Sequence, residues 1–205
     1  MVYSMQSNPL IEAAFPSPVY LSFIEILQEG FMLPAMTGTS IREVLCSQWG
    51  VENDYLDHRI NTVFLDGKPV DNVDSAIIVD GSVLALSASM PGFVGAALRK
   101  GGFYAPMRSG ITYTESMTTD VHTRCIFTLK LFNLVAEELG SSFLVKGVWL
   151  PSASFREFLS RHEKSLSDRC SRWNLDDRNL NLADLLKSPI WKDSEFVHFR
   201  VSVSD

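Results

Sequence analysis

Two Asp-Gly dipeptides, Asp66-Gly67 and Asp80-Gly81, each border an apolar run and restrict the fold more than any other feature of the chain. Both residue types tolerate the positive φ angles of tight turns, so each pair reverses the backbone and sets neighbouring strands against one another. Thr62 to Leu65 reads as a strand entering the first turn, and Lys68 to Val70 as its short return. After the second turn, the unbroken apolar run Val83-Leu84-Ala85-Leu86 suits a central strand covered on both faces.

Upstream, Ser40-Ile41-Arg42-Glu43 has the capping-box pattern that opens a helix. Ile41, Val44, Leu45 and Trp49 then fall on one helical face, and Gly50 supplies the stop. Before this helix, Val19 to Ile26 is rich in β-branched and aromatic residues and predicts a strand. Gln28-Glu29-Gly30 predicts a turn, and Phe31 to Met36 a second strand. Met1 to Pro18, with three prolines, predicts an arm.

The expected order is hairpin, capped helix, loop, then strands ending in an apolar one. In the hairpin and helix, in Val63-Phe64-Leu65-Asp66-Gly67 and in Val79 to Leu86 followed by Met90-Pro91-Gly92-Phe93-Val94-Gly95, the chain resembles the ubiquitin-like β-grasp superfamily. Within that superfamily it resembles the small sulfur carriers of molybdopterin and thiamine synthesis. The resemblance covers about Val19 to Gly95 and implies a mixed sheet wrapped around one helix. It also implies carrier chemistry at a free Gly-Gly carboxylate. Here the pair Gly101-Gly102 stands more than a hundred residues before Asp205, so that chemistry requires cleavage after Gly102.

The sequence therefore predicts an α+β protein with an N-terminal arm (1–18), a β-grasp domain (19–90), a Gly-rich basic linker or loop (91–112) and a smaller α+β C-terminal domain (113–205). In the last part, Phe127 to Leu139 is consistent with a helix or with a strand entering a helix near Phe132. Ser154-Phe155-Arg156-Glu157 predicts a second capped helix, 161–181 a frayed helix end and surface loop, and Asn181 to Lys187 a short helix ended by Pro189. Val197, Phe199, Val201 and Val203 alternate with His198, Arg200 and Ser202, which marks a half-buried strand. Trp149, Phe155, Phe158, Trp173 and Trp191 are spaced as core anchors.

A net charge of −6 disfavours general affinity for nucleic-acid backbone. No apolar run approaches the roughly 20 residues that a bilayer span needs. Met1 to Pro18 has no Lys or Arg ahead of its apolar stretch, so no secretory start is expected and a cytoplasmic setting is. Cys46, Cys125 and Cys170 are odd in number and widely spaced, as expected of reduced buried thiols.

No catalytic constellation emerges, and no cofactor or metal site is expected. His122 and Cys125 make at most half a metal site. The carboxylate pairs Asp176-Asp177, with Asp184, and Glu137-Glu138 are expected on solvated faces without a role. The candidate binding residues are Arg99, Lys100, Gly101, Gly102, Phe103, Tyr104 and Arg108. Glycine amides and cations there suit a phosphate, although the spacing departs from a phosphate loop. With Phe93 and Val94 the same segment suits packing on another protein chain, either a partner or a second copy. The expected function is non-catalytic interaction or self-association, with a ligand site or enzyme between the two halves as the alternative.

Overall fold

The protein, described by a computed structural model over residues 8–114 and 123–204, is α+β. The chain divides into two compact units: unit 1 is formed by 1–24 with 139–205, and unit 2 by 25–138. The units are thus interleaved in sequence, in contrast to the successive domains 19–90 and 113–205 expected above. The segment 91–112 lies inside unit 2.

The chain begins with β1 (Leu10–Pro16) and α1 (Tyr20–Glu29). Both correct the sequence reading. The arm contains a strand whose Ile11 and Phe15 are wholly buried, with prolines at its margins instead of its middle. Val19 to Ile26 is helical because Val19, Phe23, Ile26 and Leu27, all buried, recur at offsets of four, seven and eight while Leu21 stays exposed. The helical period of burial overrides local β propensity. Phe23 departs from helical geometry and kinks α1.

Unit 2 continues with β2 (Phe31–Met36), β3 (Thr39–Ser40) and two π-helical turns, Glu43–Gln48 and Tyr55–Arg59. Next come β4 (Thr62–Leu65), β5 (Lys68–Pro69), β6 (Ile77–Ile78), β7 (Val83–Ser87), α2 (Gly92–Leu98), a 3₁₀ turn (Ala105–Arg108) and β8 (Arg124–Phe132). Its main sheet has the order β2-β8-β7-β4-β5, and β3 pairs with β6. β7 and β8 are parallel, whereas β2–β8, β4–β7 and β4–β5 are antiparallel. The register aligns one buried face: Phe31 opposes Leu129, Leu33 opposes Phe127, Leu84 opposes Leu129 and Val63 opposes Leu86.

Ser40 Oγ accepts from the Glu43 amide at 3.2 Å, as the capping pattern predicts, and Ile41, Val44, Leu45 and Leu56 are wholly buried. Asp66 and Gly67 both adopt positive φ in the β4–β5 turn. β7 is central as expected, with Leu84 and Leu86 buried and Val83 and Ala85 half-buried.

Unit 1 is completed by α3 (Asn133–Lys146, entered from unit 2), β9 (Val148–Pro151), α4 (Ser152–Arg161), α5 (Glu163–Arg169), β10 (Arg172–Leu175), β11 (Arg178–Leu180), α6 (Leu182–Lys187), α7 (Ile190–Asp193) and β12 (Phe196–Ser204). Its strands run β11-β10-β1-β12-β9, with β1 parallel to β12 and the remaining pairs antiparallel. The strand-then-helix alternative near Phe132 is the one observed, with Asn133 in positive φ at the junction. α4 starts at Ser152 with no side-chain cap, two residues ahead of the expected Ser154. The expected loop at 161–181 instead forms α5 and the β10–β11 hairpin, which Asp176 and Asp177 turn at positive φ.

Phe15, Phe23, Phe155, Phe158, Trp173 and Phe199 form the aromatic core of unit 1. Their ring centroids lie 5.0 Å apart for Phe15 and Phe23, and 4.7 Å apart for Phe155 and Phe199. Trp149 and Trp191 are half-buried. Gly147, at φ +98°, makes room for His198, because a Cβ there would stand 2.4 Å from the His198 Nε2.

Candidate functional site

The Gly-rich segment after β7 is folded back and tied down. Pro91 and Gly92 open α2, and at Gly95 a Cβ would meet the Met90 carbonyl oxygen at 1.9 Å, so only glycine permits this return. The backbone amide of Lys100 donates to the Asn61 carbonyl at 2.7 Å, and that of Tyr113 donates to the Pro69 carbonyl at 2.9 Å.

Arg108 is the latch. Its side chain is 4% exposed. Nε donates to the Ala97 carbonyl at 2.7 Å, Nη1 to Thr112 Oγ1 at 2.8 Å, and Nη2 to Asp71 Oδ1 at 2.6 Å. The Gly101 amide donates to the same Asp71 oxygen at 2.9 Å, and Gly102 is tied to the Arg99 carbonyl. A planar five-donor cation is thus spent on internal acceptors and closes the segment onto unit 2.

Lys100 is also engaged, its ammonium donating to the Leu56 carbonyl at 2.7 Å. Burial lowers its pKa, and the nearby Asp57 carboxylate opposes that shift. Of the three cations named in the sequence, Arg99 alone is exposed. The geometry therefore does not gather Arg99, Lys100 and Arg108 around one anion.

What the segment presents outward is apolar. Phe103 is 90% exposed, Met107 72%, and Phe93 and Val94 63% each, with Ile111 and Tyr104 beside them in the chain. Tyr104 is the hub of an aromatic group, its ring lying 5.3 Å from Phe93 and 5.1 Å from Phe103, both edge-on. Edge-to-face packing holds these rings in one arrangement without covering them. The sequence pointed to Phe93, Val94, Phe103 and Tyr104, and missed Met107, which lies in the 3₁₀ turn, and Ile111, whose amide donates to the Arg108 carbonyl just after it. A cavity of about 340 Å³ lies beside the group, lined among others by Asn61, Thr62, Arg99 and Tyr104. The Thr62 hydroxyl is buried without a partner among the described residues.

Ionic groups also lie elsewhere in unit 2. Arg42 bonds Asp57 and Asp74, whose hydrogen bonds raise its pKa, and the same bond lowers that of Asp57. Glu138 accepts from Arg59 and, at 2.7 Å, from the Tyr55 hydroxyl, which together hold its carboxyl down to about 2. Glu137 and Glu138 are both exposed on α3, as expected, and Glu138 also joins this ionic network. Burial raises the pKa of Cys46, Cys125 and Cys170, which are unpaired thiols.

Among the described residues no group of three or more His, Cys, Asp or Glu side chains is arranged to hold a metal ion, and His122 lies outside those residues. Among the described residues no helix is long and apolar enough to cross a membrane. Comparison with family models, with curated proteins and with solved structures returns no match.

Proposed function

We propose that the protein is a non-catalytic association module, and that its docking face is the exposed apolar surface of residues 93–111 presented by a β-grasp unit. The β-grasp reading is supported by the five mixed strands of unit 2, which include the parallel pair β7–β8, and by helical turns between β2 and β4 that bury Ile41, Val44 and Leu45. In this reading the antiparallel neighbour of β2 is β8, which arrives late in the chain and stands where Val19–Ile26 was expected.

The observation that carries the functional reading is the outward aromatic group on a segment whose inner side is locked by Arg108. Large exposed apolar patches on soluble proteins mark interaction surfaces. Rigid aromatic side chains contribute most of the binding energy in such interfaces at little entropic cost. A second copy is the simplest occupant, because a two-fold axis brings the same patch against itself.

The test is sedimentation equilibrium of the full chain. The expected mass is twice the 22.9 kDa of one chain, returning to that of one chain in a Phe103→Ser, Met107→Ser double variant. A wild-type protein that stays monomeric, or a variant that stays dimeric, overturns the assignment to self-association through this face.

A further inference from the structure

Unit 1 holds an open groove of about 840 Å³ between α4 and the corner joining α6 to α7. On a chain with net charge −6 an average stretch of surface is acidic, and this one is inverted. Arg156 and Arg161 stand on the helix wall, Lys187 and Lys192 on the opposite one, and Glu157 is the single carboxylate among the lining residues.

Helix ends explain part of this charge. Lys187 and Arg161 occupy the last turns of α6 and α4, where cations complement the carbonyl end of the helix dipole. Lys192 lies in the last turn of the short α7 as well. Neither lysine has an ion-pair partner among the described residues, whereas Arg161 faces Glu157 at 3.8 Å.

Trp191 lines the same groove, and its ring is set in place from behind. Nε1 donates to the Leu185 carbonyl at 2.7 Å, and the ring meets Phe155 edge-on at 6.2 Å. Arg156 is likewise aimed by its Nε bond to the Leu186 carbonyl at 3.2 Å. The groove thus offers a fixed indole face between two pairs of cations. Its volume falls within the roughly 300–1,000 Å³ of small-ligand sites.

We propose that this groove binds a small organic polyanion carrying a flat ring, of the nucleoside diphosphate class, with the ring on Trp191 and the charges shared between Arg156, Lys187 and Lys192. Stacking and cation–phosphate pairing each select one half of such a ligand.

The experiment is isothermal titration of the full chain with ADP, with inorganic tripolyphosphate and with adenosine. One saturable ADP site is expected, weakening as salt is raised because the cations are exposed. Lys187→Ala with Lys192→Ala should weaken ADP by about tenfold or more, since two of the three cations that share its charge are removed. Both lysines are exposed, so an unchanged circular dichroism spectrum is expected of that variant. Trp191→Leu should weaken ADP while leaving tripolyphosphate unmoved. The proposal is overturned if ADP shows no saturable binding, if the double lysine variant binds ADP as the wild type does, or if Trp191→Leu has no effect on ADP. A heptaglutamate peptide that binds where ADP does not also overturns it, in favour of an acidic protein segment.

Discussion

Unit 1 gathers its aromatic rings in its core, whereas unit 2 divides its own between the sheet, where Phe31 and Phe127 are wholly buried, and an exposed group. In unit 1, Phe15, Phe23, Phe155, Phe158 and Phe199 interlock in the core. In unit 2 the sheet is packed largely with aliphatic side chains such as Val63, Leu65, Leu84, Leu86 and Leu131, while Phe93, Phe103 and Tyr104 face outward. A ring inside contributes through burial and packing density. A ring outside contributes nothing to the isolated fold, and its position has to be explained by what it meets.

The sharpest way to break this comparison is to truncate one ring from each set. Phe199→Ala removes a wholly buried side chain touching Phe23 and Phe155, and should cost about 3–5 kcal/mol in urea unfolding. Phe103→Ala should change stability by no more than about 0.5 kcal/mol, as expected of an exposed site. If Phe103→Ala costs as much as Phe199→Ala, the outward group belongs to the core and the contrast fails.

A smaller effect is expected at Arg108, a buried charge that holds the outward segment in place. Breaking a buried pair costs about 3–5 kcal/mol, and because the Asp71 side chain is 34% exposed, Arg108→Met should fall nearer about 2–3 kcal/mol. The same variant should speed amide exchange across 91–112 while leaving unit 1 unchanged. Uniform loss of protection in both units would show that the latch is not local.

How much of this was legible in the sequence depends on the distance over which each signal acts. The Asp66-Gly67 turn, the Ser40 cap, the alternation of β12 and the short helix stopped by Pro189 are encoded within a few residues, and each lies where the sequence placed it. The partner of β2 was not legible, because pairing Phe31 with Leu129 is decided by tertiary packing across most of unit 2. α1 was misread because a run of β-formers also carried a helical burial period, and packing decided between them. Within the candidate site, Phe103 and Tyr104 stood out as aromatic residues in a Gly-rich stretch. That Arg108 points inward is fixed by Asp71, more than thirty residues upstream, and no spacing rule reports it. The groove cations are spread over α4, α6 and α7 and converge only once those elements fold, so charge counting along the chain could not find them.

The mildest effect separates the units by pH. In unit 1, His198 lies flat on Trp149 at 4.2 Å, its Nε2 buried without a partner among the described residues. Burial lowers its pKa below the ordinary 6.5; Arg200 on its own strand adds to the shift, and Glu12 on β1 opposes it. Below pH 6.5 the unfolded chain therefore takes up a proton that the folded chain resists, and stability falls as the medium becomes more acid. In unit 2 the carboxyl of Glu138 is held near 2 against an ordinary 4.5, so its contribution is complete above pH 4.5 and is lost only as the pH falls from there toward 2. Amide exchange followed down the pH scale should show unit 1 loosening first and unit 2 later. His198→Phe should abolish the first step and leave the second. If the first step survives that substitution, another group in unit 1 carries it. If both units loosen together at the higher pH, they unfold as one body and the contrast between them ends at their surfaces.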